Sequence, residues 1–244
     1  MMYKEIGKVL ENKELIKDSI YLITIDLQKI AKEALPGQFV EIKTGESPLL
    51  RKPISIFDVD KDNGLVSLLY QVRGKGTKNL SGFKSGESID IIGPLGNGFT
   101  IDKKEQEILL VGGGIGIAPL YYLGKELKFK GNNLKFILGY SCKDESYAVD
   151  FFSKVAEVEI STMDGSLGCK GHVGSIVEKL DISKVTAIYA CGPEPMLKYL
   201  KKFEQEVDLE LSLEAYMGCG LGACISCVCE KTDGSYARVC KDGP

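Results

Sequence analysis

Cys219, Cys224 and Cys227 stand in the run Cys219-Gly-Leu-Gly-Ala-Cys224-Ile-Ser-Cys227, and Cys240 follows thirteen positions later. Thiolates hold soft and borderline metals, and C-x4-C-x2-C…C is the spacing of a plant-type [2Fe–2S] site. Such a centre moves one electron at a time, so the chemistry it offers is electron transfer. The spacing has a physical basis. Three sulfurs come from one tight loop and the fourth from a separate strand or turn. Gly218, Gly220 and Gly222 let that loop approach closely and turn its amides toward sulfur. A structural zinc site is the alternative, but it usually takes two C-x2-C pairs, and Cys240 has no second-pair partner. Disulfides fit less well. Met1-Met2-Tyr3-Lys4-Glu5 does not read as a secretion signal, which implies a reducing cytoplasm. Cys229 is a spare thiol, either a buried small hydrophobe or a surrogate ligand.

Four further segments carry binding chemistry. Gly112-Gly113-Gly114-Ile-Gly116 joins an apolar run to a helical one, as a backbone that cradles a pyrophosphate at a helix N-terminus would. It is not the strict G-x-G-x-x-G pattern, and a tight turn without ligand is the alternative. Cys191-Gly192-Pro193 ends a later apolar run and would be the other half of that site; the alternative is a plain strand–turn–helix junction. Arg51-Lys52-Pro53-Ile54-Ser55 opens a strand with two cations and a hydroxyl. Arg73-Gly-Lys-Gly76-Thr77 places glycines, a cation and a hydroxyl just before a short helix. Each grouping suits a diphosphate, and each alone also suits a solvated turn.

The elements that must position these groups fall into three parts. Residues 1–100 read as an all-β domain, with strands at 21–27, 39–43 and 65–71 separated by Pro36-Gly37, Asp62-Asn63-Gly64 and Lys84-Ser85-Gly86. That pattern suggests a small antiparallel β-barrel, closed by a loop at 93–98. Residues 101–213 alternate β and α. Strands are expected at 108–111, 134–140, 157–161, 186–191 and 209–212, and helices at 118–129, 173–180 and 195–206. This is the pattern of an α/β parallel-sheet nucleotide-binding domain. Residues 214–244 form a cysteine module too small to hold a core without metal. The net charge of −3 and dispersed cations give no sign of nucleic acid or membrane partners, and the apolar stretch at 108–123 is broken by glycines and Pro119. With His172 as the single histidine, acid–base catalysis by imidazole is not expected.

Taken together, the segments Arg51–Ile56, Gly74–Thr77, Gly93–Gly98, Gly112–Gly116, Cys191–Pro193 and Met217–Cys224 resemble those of the ferredoxin–NADP reductase superfamily. Over essentially the whole length, the chain is similar to the family of electron-transfer subunits of NAD-dependent dihydroorotate dehydrogenases. The resemblance implies FAD on the barrel, NAD(H) on the α/β domain at Gly112, Gly113, Gly114, Gly116, Cys191, Gly192 and Pro193, and a [2Fe–2S] cluster on Cys219, Cys224, Cys227 and Cys240. Lys52-Pro53-Ile54-Ser55 would match a flavin motif that normally begins with arginine, so either Lys52 or Arg51 takes the phosphate role. Leu69, Tyr70 and Gln71 would line the flavin, and Gly76 and Thr77 would hold its phosphates. Four residues follow Cys240, fewer than the family usually has.

The resemblance also implies a partner, an FMN-containing catalytic subunit in a heterotetramer with two copies of each chain. Electrons would pass between dihydroorotate and NAD+ in cytoplasmic pyrimidine biosynthesis. A flavin is needed because a hydride delivers two electrons and the cluster takes one. In Ser141-Cys-Lys143-Asp-Glu145 the two acids and the lack of arginine favour NAD, while Lys143 leaves NADP open. The rival enzyme readings are the flavoprotein subunits of a sulfide dehydrogenase, a ferredoxin–NADP transhydrogenase or a hydrogenase. A redox sensor is the rival from another class.

Overall fold

A computed structural model describes residues 1–244, which divide into two compact units, 1–98 with 214–244, and 99–213. The first unit is built on a closed barrel of β1 (Tyr3–Ile16), β2 (Ile20–Asp26), β3 (Phe39–Lys43), β4 (Lys52–Asp60), β5 (Leu65–Gln71) and β6 (Ser88–Leu95), in the order β1-β2-β5-β4-β3-β6. Every neighbouring pair is antiparallel. In β5, Val66, Leu68 and Tyr70 point inward and meet Ile23 and Ile25 of β2, which is the period-two pattern of a half-buried strand. β1 is long enough to pair with both β2 and β6, and irregularities at Val9/Glu11 and Glu14/Ile16 let it bend. Two short helices, α1 (Gln28–Glu33) and α2 (Lys75–Ser81), join the strands.

Two expectations are corrected here. Gly93 and Pro94 are not loop: β6 continues to Leu95, with Gly93 opposite Tyr3 and Leu95 opposite Phe39. Gly93 is needed because a Cβ there would stand 2.7 Å from Val40 Cγ1, so it serves close strand packing rather than a turn. The segment 73–77 straddles the start of its helix: Arg73 and Gly74 precede it, and Lys75, Gly76 and Thr77 form its first turn.

Residues 214–244 do not carry a core of their own. The hairpin β13 (Val228–Glu230) and β14 (Tyr236–Arg238), with its terminal turn α7 (Val239–Asp242), buries Cys227, Val239 and Cys240 against Phe39 and Leu95 of the barrel. Ala215, Met217 and Cys229 pack on the same cluster, so the spare thiol behaves as a small hydrophobe. Asn97 Nδ2 donates to Lys241 O at 2.8 Å and ties the end of the barrel to the last turn.

The second unit is a six-stranded sheet in the order β10-β9-β8-β7-β11-β12, parallel throughout. Its strands are β7 (Glu107–Gly113), β8 (Asn133–Tyr140), β9 (Glu157–Thr162), β10 (Cys169–Lys170), β11 (Ala187–Cys191) and β12 (Asp208–Ser212). The central strands β7 and β11 are buried on both faces and read as continuous apolar runs. α3 (Ala118–Phe129) has its expected bounds, with Pro119 in the first turn where its missing N–H costs nothing. Two other helices are shorter than their sequence patterns: α5 (Gly174–Val177) and α6 (Glu194–Leu200). After α6 the chain tightens into a 3-10 turn that brings Phe203 into the core beside Leu197 and Leu200. α4 (Val149–Ser153) and the two-residue β10 are too short to leave a periodic signal. No helix is long and apolar enough to cross a membrane.

Candidate redox-cofactor sites

The cysteine loop is shaped by its backbone. Gly220 and Gly222 take φ of +64° and +79°, and Ile225 takes +59°, a left-handed conformation that a β-branched residue adopts only under constraint. This winding turns the amides of Leu221 and Cys224 onto Cys219 Sγ at 3.3 and 3.4 Å. Ser226 Oγ lies 3.2 Å from Cys224 Sγ and accepts from Gly218 N at 2.9 Å. Hydrogen bonds from Ser226 and the neighbouring Cys219 bring the Cys224 thiol down to about 6, into thiolate territory at neutral pH. Cys240 is instead pushed up to about 11 by burial and by Cys227 beside it. A bound metal would hold both as thiolates.

Among the four thiols, Cys224 interacts with Cys219, and Cys240 interacts most with Cys227 and then with Cys219. No three histidine, cysteine or acidic side chains converge on a single-ion site. Four cysteines in the C-x4-C-x2-C…C spacing suit two metal atoms with two thiolates each. Sulfur-directed amides and loop glycines in left-handed conformations complete a cradle that fits a [2Fe–2S] cluster. Arg238, which sequence reasoning missed, clamps it. Its Nη1 donates to Gly222 O at 3.1 Å and its Nε to Asp242 Oδ2 at 3.2 Å.

On the barrel, Lys52 and Arg51 part company. Arg51 turns away from α2: Nη1 donates to Asp90 O at 2.9 Å, and Nη2 lies 2.9 Å from Asp90 Oδ1. Lys52 runs the other way, over Gly76 in the first turn of α2, where a Cβ would stand 2.8 Å from its Cγ and Cδ. Gly74, just before α2, has φ of −170°, which any residue adopts, and nothing lies within 4 Å of where its Cβ would be. Packing does not require glycine there, so the open space suits a ligand approaching the backbone. The first helical bond runs from Lys78 N to Gly74 O, which leaves the amides of residues 75–77 without helical partners. Thr77 Oγ1 is already occupied, accepting from Arg73 N at 2.9 Å and donating to Gly74 O at 3.2 Å. It shapes the turn and has little left for a phosphate. Leu69 and Tyr70 are 1 % exposed, and Tyr70 donates its hydroxyl proton to Asn12 Oδ1, so only their backbone can border a flavin. Gln71 accepts from Arg73 Nε. Pro53, Ile54 and Ser55 are half-buried along β4, opposite Glu41, Val40 and Phe39. The cation, the open glycine and the free amides fit the diphosphate of FAD.

In the second unit, the two glycine segments meet. A Cβ on Gly116 would stand 2.5 Å from Cys191 O and 2.6 Å from Gly192 Cα. A Cβ on Gly113 would come within 3.0 Å of Pro193 Cδ and 2.9 Å of Met196 Sδ. Gly112 is opposite Cys191 in the ladder between β7 and β11. The sheet order changes direction between these strands, and a crevice beyond their carboxyl ends is where open parallel sheets take ligands. Gly114, at φ of +55°, has nothing within 4 Å of where its Cβ would be, so the turn offers open backbone. This arrangement fits a dinucleotide. His172 packs edge-on to Tyr199 and has no place in these sites.

Known proteins match this arrangement. Residues 214–244 match the family model described as the iron-sulfur cluster binding domain of dihydroorotate dehydrogenase B. The chain is 43 % identical, over 96 % of its length and 93 % of the relative's, to the "Dihydroorotate dehydrogenase B (NAD(+)), electron transfer subunit" of Fusobacterium nucleatum subsp. nucleatum. It is 41 % identical to the protein of the same name from Lysinibacillus sphaericus, over 100 % of this chain and 96 % of that one. Among solved structures, an NADH-dependent reduced ferredoxin-NADP oxidoreductase, studied for flavin-based electron bifurcation, superposes with a TM-score of 0.88 at 34 % identity. It covers 98 % of this chain and 87 % of that one. The ferredoxin reductase of carbazole 1,9a-dioxygenase shares the fold at a TM-score of 0.73 and 17 % identity, over 86 % of this chain and 69 % of that one.

Proposed function

The chain belongs to the family of dihydroorotate dehydrogenase B (NAD(+)) electron transfer subunits, and from that membership we propose that it carries electrons between a catalytic partner subunit and NAD+ in pyrimidine biosynthesis. It is an oxidoreductase subunit that does not itself bind dihydroorotate. The observation that carries the reading is the array of Cys219, Cys224, Cys227 and Cys240 packed on the barrel that holds Lys52 over Gly76. Its cofactors are FAD, a [2Fe–2S] cluster and NAD(H). When bound, FAD exchanges a hydride's two electrons with NAD(H) and single electrons with the cluster.

The chain's own residues bind and orient. Cys219 and Cys224 would hold one iron, Cys227 and Cys240 the other, with the amides of Leu221 and Cys224 bonding to sulfur. Lys52 and the amides at the start of α2 would hold the FAD diphosphate, while Arg51 fixes β4 to β6 through Asp90. Gly112, Gly113, Gly114 and Gly116, with Cys191, Gly192 and Pro193, would take the NAD pyrophosphate. The partner would be an FMN-containing catalytic subunit, two of each chain forming a heterotetramer in the cytoplasm. Tyr216, Leu221, Ile225, Val228 and Tyr236 surround the cysteine loop and are 42 to 96 % exposed, an apolar rim suited to that partner.

The 34 % identity to the reduced ferredoxin-NADP oxidoreductase supports a second reading, a subunit of a transhydrogenase. Purified anaerobically by itself, the chain should contain iron and FAD, reduce dyes with NADH and leave dihydroorotate unoxidised. Dihydroorotate turnover should appear only when the catalytic subunit is added. NADH–ferredoxin–NADP+ exchange without such a partner would favour the second reading.

A further inference from the structure

Met196 packs on both glycine segments of the proposed dinucleotide site. A Cβ on Gly113 would stand 2.9 Å from its Sδ, and a Cβ on Gly192 would stand 2.7 Å from its Cε. The two glycines also press on each other, because that second Cβ would lie only 3.0 Å from Gly113 N. The thioether therefore fills the volume that side chains at both positions would take, at the seam between the carboxyl ends of β7 and β11. Gly113 and Gly192 make room for Met196, whereas Gly114 leaves its Cβ direction open. The methionine backbone is fixed in the first turn of α6, where Met196 N donates to Pro193 O at 2.9 Å. Its side chain is half-buried: one part packs on the core of the second unit and the rest stays accessible.

A thioether carries no charge and no proton to donate, so it cannot hold a phosphate. It suits an aromatic ring instead, because sulfur packs favourably on rings and three rotatable bonds let the side chain adapt. β8 and β11 flank β7 on opposite sides. With the adenosine ribose read by Asp144 and Glu145 after β8, the other half of the dinucleotide runs toward β11 and Met196. We propose that Met196 is a binding residue for the nicotinamide ring of NAD(H), its thioether forming the wall against which the ring seats. Gly113 and Gly192 hold the sulfur at the seam, and its accessible side meets the ring. This inference rests on the reading of the two glycine segments as a dinucleotide site.

The test compares NADH with ADP-ribose, which keeps the pyrophosphate and both riboses but lacks the nicotinamide ring. In dye reduction by the holoprotein, Met196→Ala should raise the KM for NADH about tenfold, the scale of a lost apolar contact in a pocket. Met196→Leu, which keeps the bulk, should fall between wild type and Met196→Ala. Inhibition by ADP-ribose should be the same in all three proteins, which a general collapse of the crevice would not allow. Microsecond hydroxyl-radical labelling, read by peptide mass spectrometry, should show Met196 shielded by NAD+ and not by ADP-ribose. Met2 of the barrel unit, 50 % exposed, is the reference for radical dose. An unchanged KM in Met196→Ala, an equal loss of ADP-ribose inhibition, or identical labelling of Met196 with the two ligands overturns the inference and leaves the dinucleotide site in place. Wild-type protein that neither oxidises NADH nor responds to ADP-ribose overturns both.

Discussion

The aliphatic stem of Lys52 lies across Gly76, so closely that a Cβ on Gly76 would overlap Lys52 Cε. Gly74, with its open backbone, lies two residues before Gly76, while the neighbouring Arg51 is held by Asp90. Loss of Lys52 should therefore cost FAD binding, and it also removes the cation that does most to offset the buried Glu41 carboxylate. Lys52→Ala should weaken FAD affinity about ten- to a hundredfold, the loss of one charge-assisted hydrogen bond of about 1.5–3 kcal/mol. Lys52→Arg should tighten it, because the guanidinium fork can engage two phosphate oxygens. Gly76→Ala, which pushes the lysine aside, should fall between wild type and Lys52→Ala. Flavin fluorescence during reconstitution of the apoprotein measures all three, and equal affinities would remove Lys52 from the site.

Arg51 makes the opposite case. Its Nη1 donates to the Asp90 carbonyl and its Nη2 forms an ion pair with the Asp90 carboxylate, at 2.9 Å each, which joins the start of β4 to β6 across β3. Arg51→Met should lower the stability of the protein by about 1–2 kcal/mol, because Asp90 then keeps only the exposed Lys4, 3.6 Å from its Oδ2. FAD affinity should be unchanged in the protein that remains folded. Thermal unfolding and flavin titration on the same preparation separate the two effects. A loss of flavin affinity larger than the loss of stability would place Arg51 in the phosphate site after all.

How far these sites could be read in advance follows from where their determinants lie. The cysteine spacing and the glycine runs are local, so Cys219 to Cys240 and Gly112 to Gly116 were legible in order and type. The choice between Arg51 and Lys52 was not, because Lys52 opens β4 while Arg51 lies just before it, and the barrel decides which of the two meets α2. Arg238 was invisible for the same kind of reason, since it acts through Gly222 and Asp242. The six-residue motif at 93–98 misled because glycine and proline mark turns in general, whereas here Gly93 accommodates Val40 within a strand. The helix patterns at 173–180 and 195–206 overran because apolar spacing continues through 3-10 turns that still face the core.

Gly114 and Gly116 are separated by one residue but should fail differently. A Cβ on Gly116 meets the backbone of Cys191 and Gly192, which cannot move without parting β7 from β11. Gly116→Ala should therefore lower both stability and NADH affinity. Gly114 has open space, and the cost of a side chain at its φ of +55° is about 1 kcal/mol. Gly114→Ala should stay folded with a small drop in melting temperature and lose NADH binding at least tenfold, because the added methyl fills the backbone cradle. Stopped-flow reduction of bound flavin by NADH, read beside thermal unfolding, distinguishes the two. Undiminished NADH affinity in Gly114→Ala would move the pyrophosphate away from this turn.

The Glu41 carboxyl is buried against Gly220 and makes stability depend on pH, with a definite sign. Its ordinary value is 4.5, and burial raises it to about 7 in the folded chain. Below pH 4.5 the group is protonated whether the chain is folded or not, and it contributes nothing to the pH dependence. Between 4.5 and 7 the unfolded chain gives up this proton while the folded chain keeps it, so stability falls as pH rises. Above 7 the folded chain must hold a buried negative charge, and the full penalty applies. Gln cannot ionise, so Glu41→Gln should match wild type near pH 5 and melt at a higher temperature from pH 7.5 upward. The difference should open between those values, and calorimetry of both proteins across that range measures it. A constant offset at every pH would mean that packing against Gly220, and not the charge, sets the effect of the substitution.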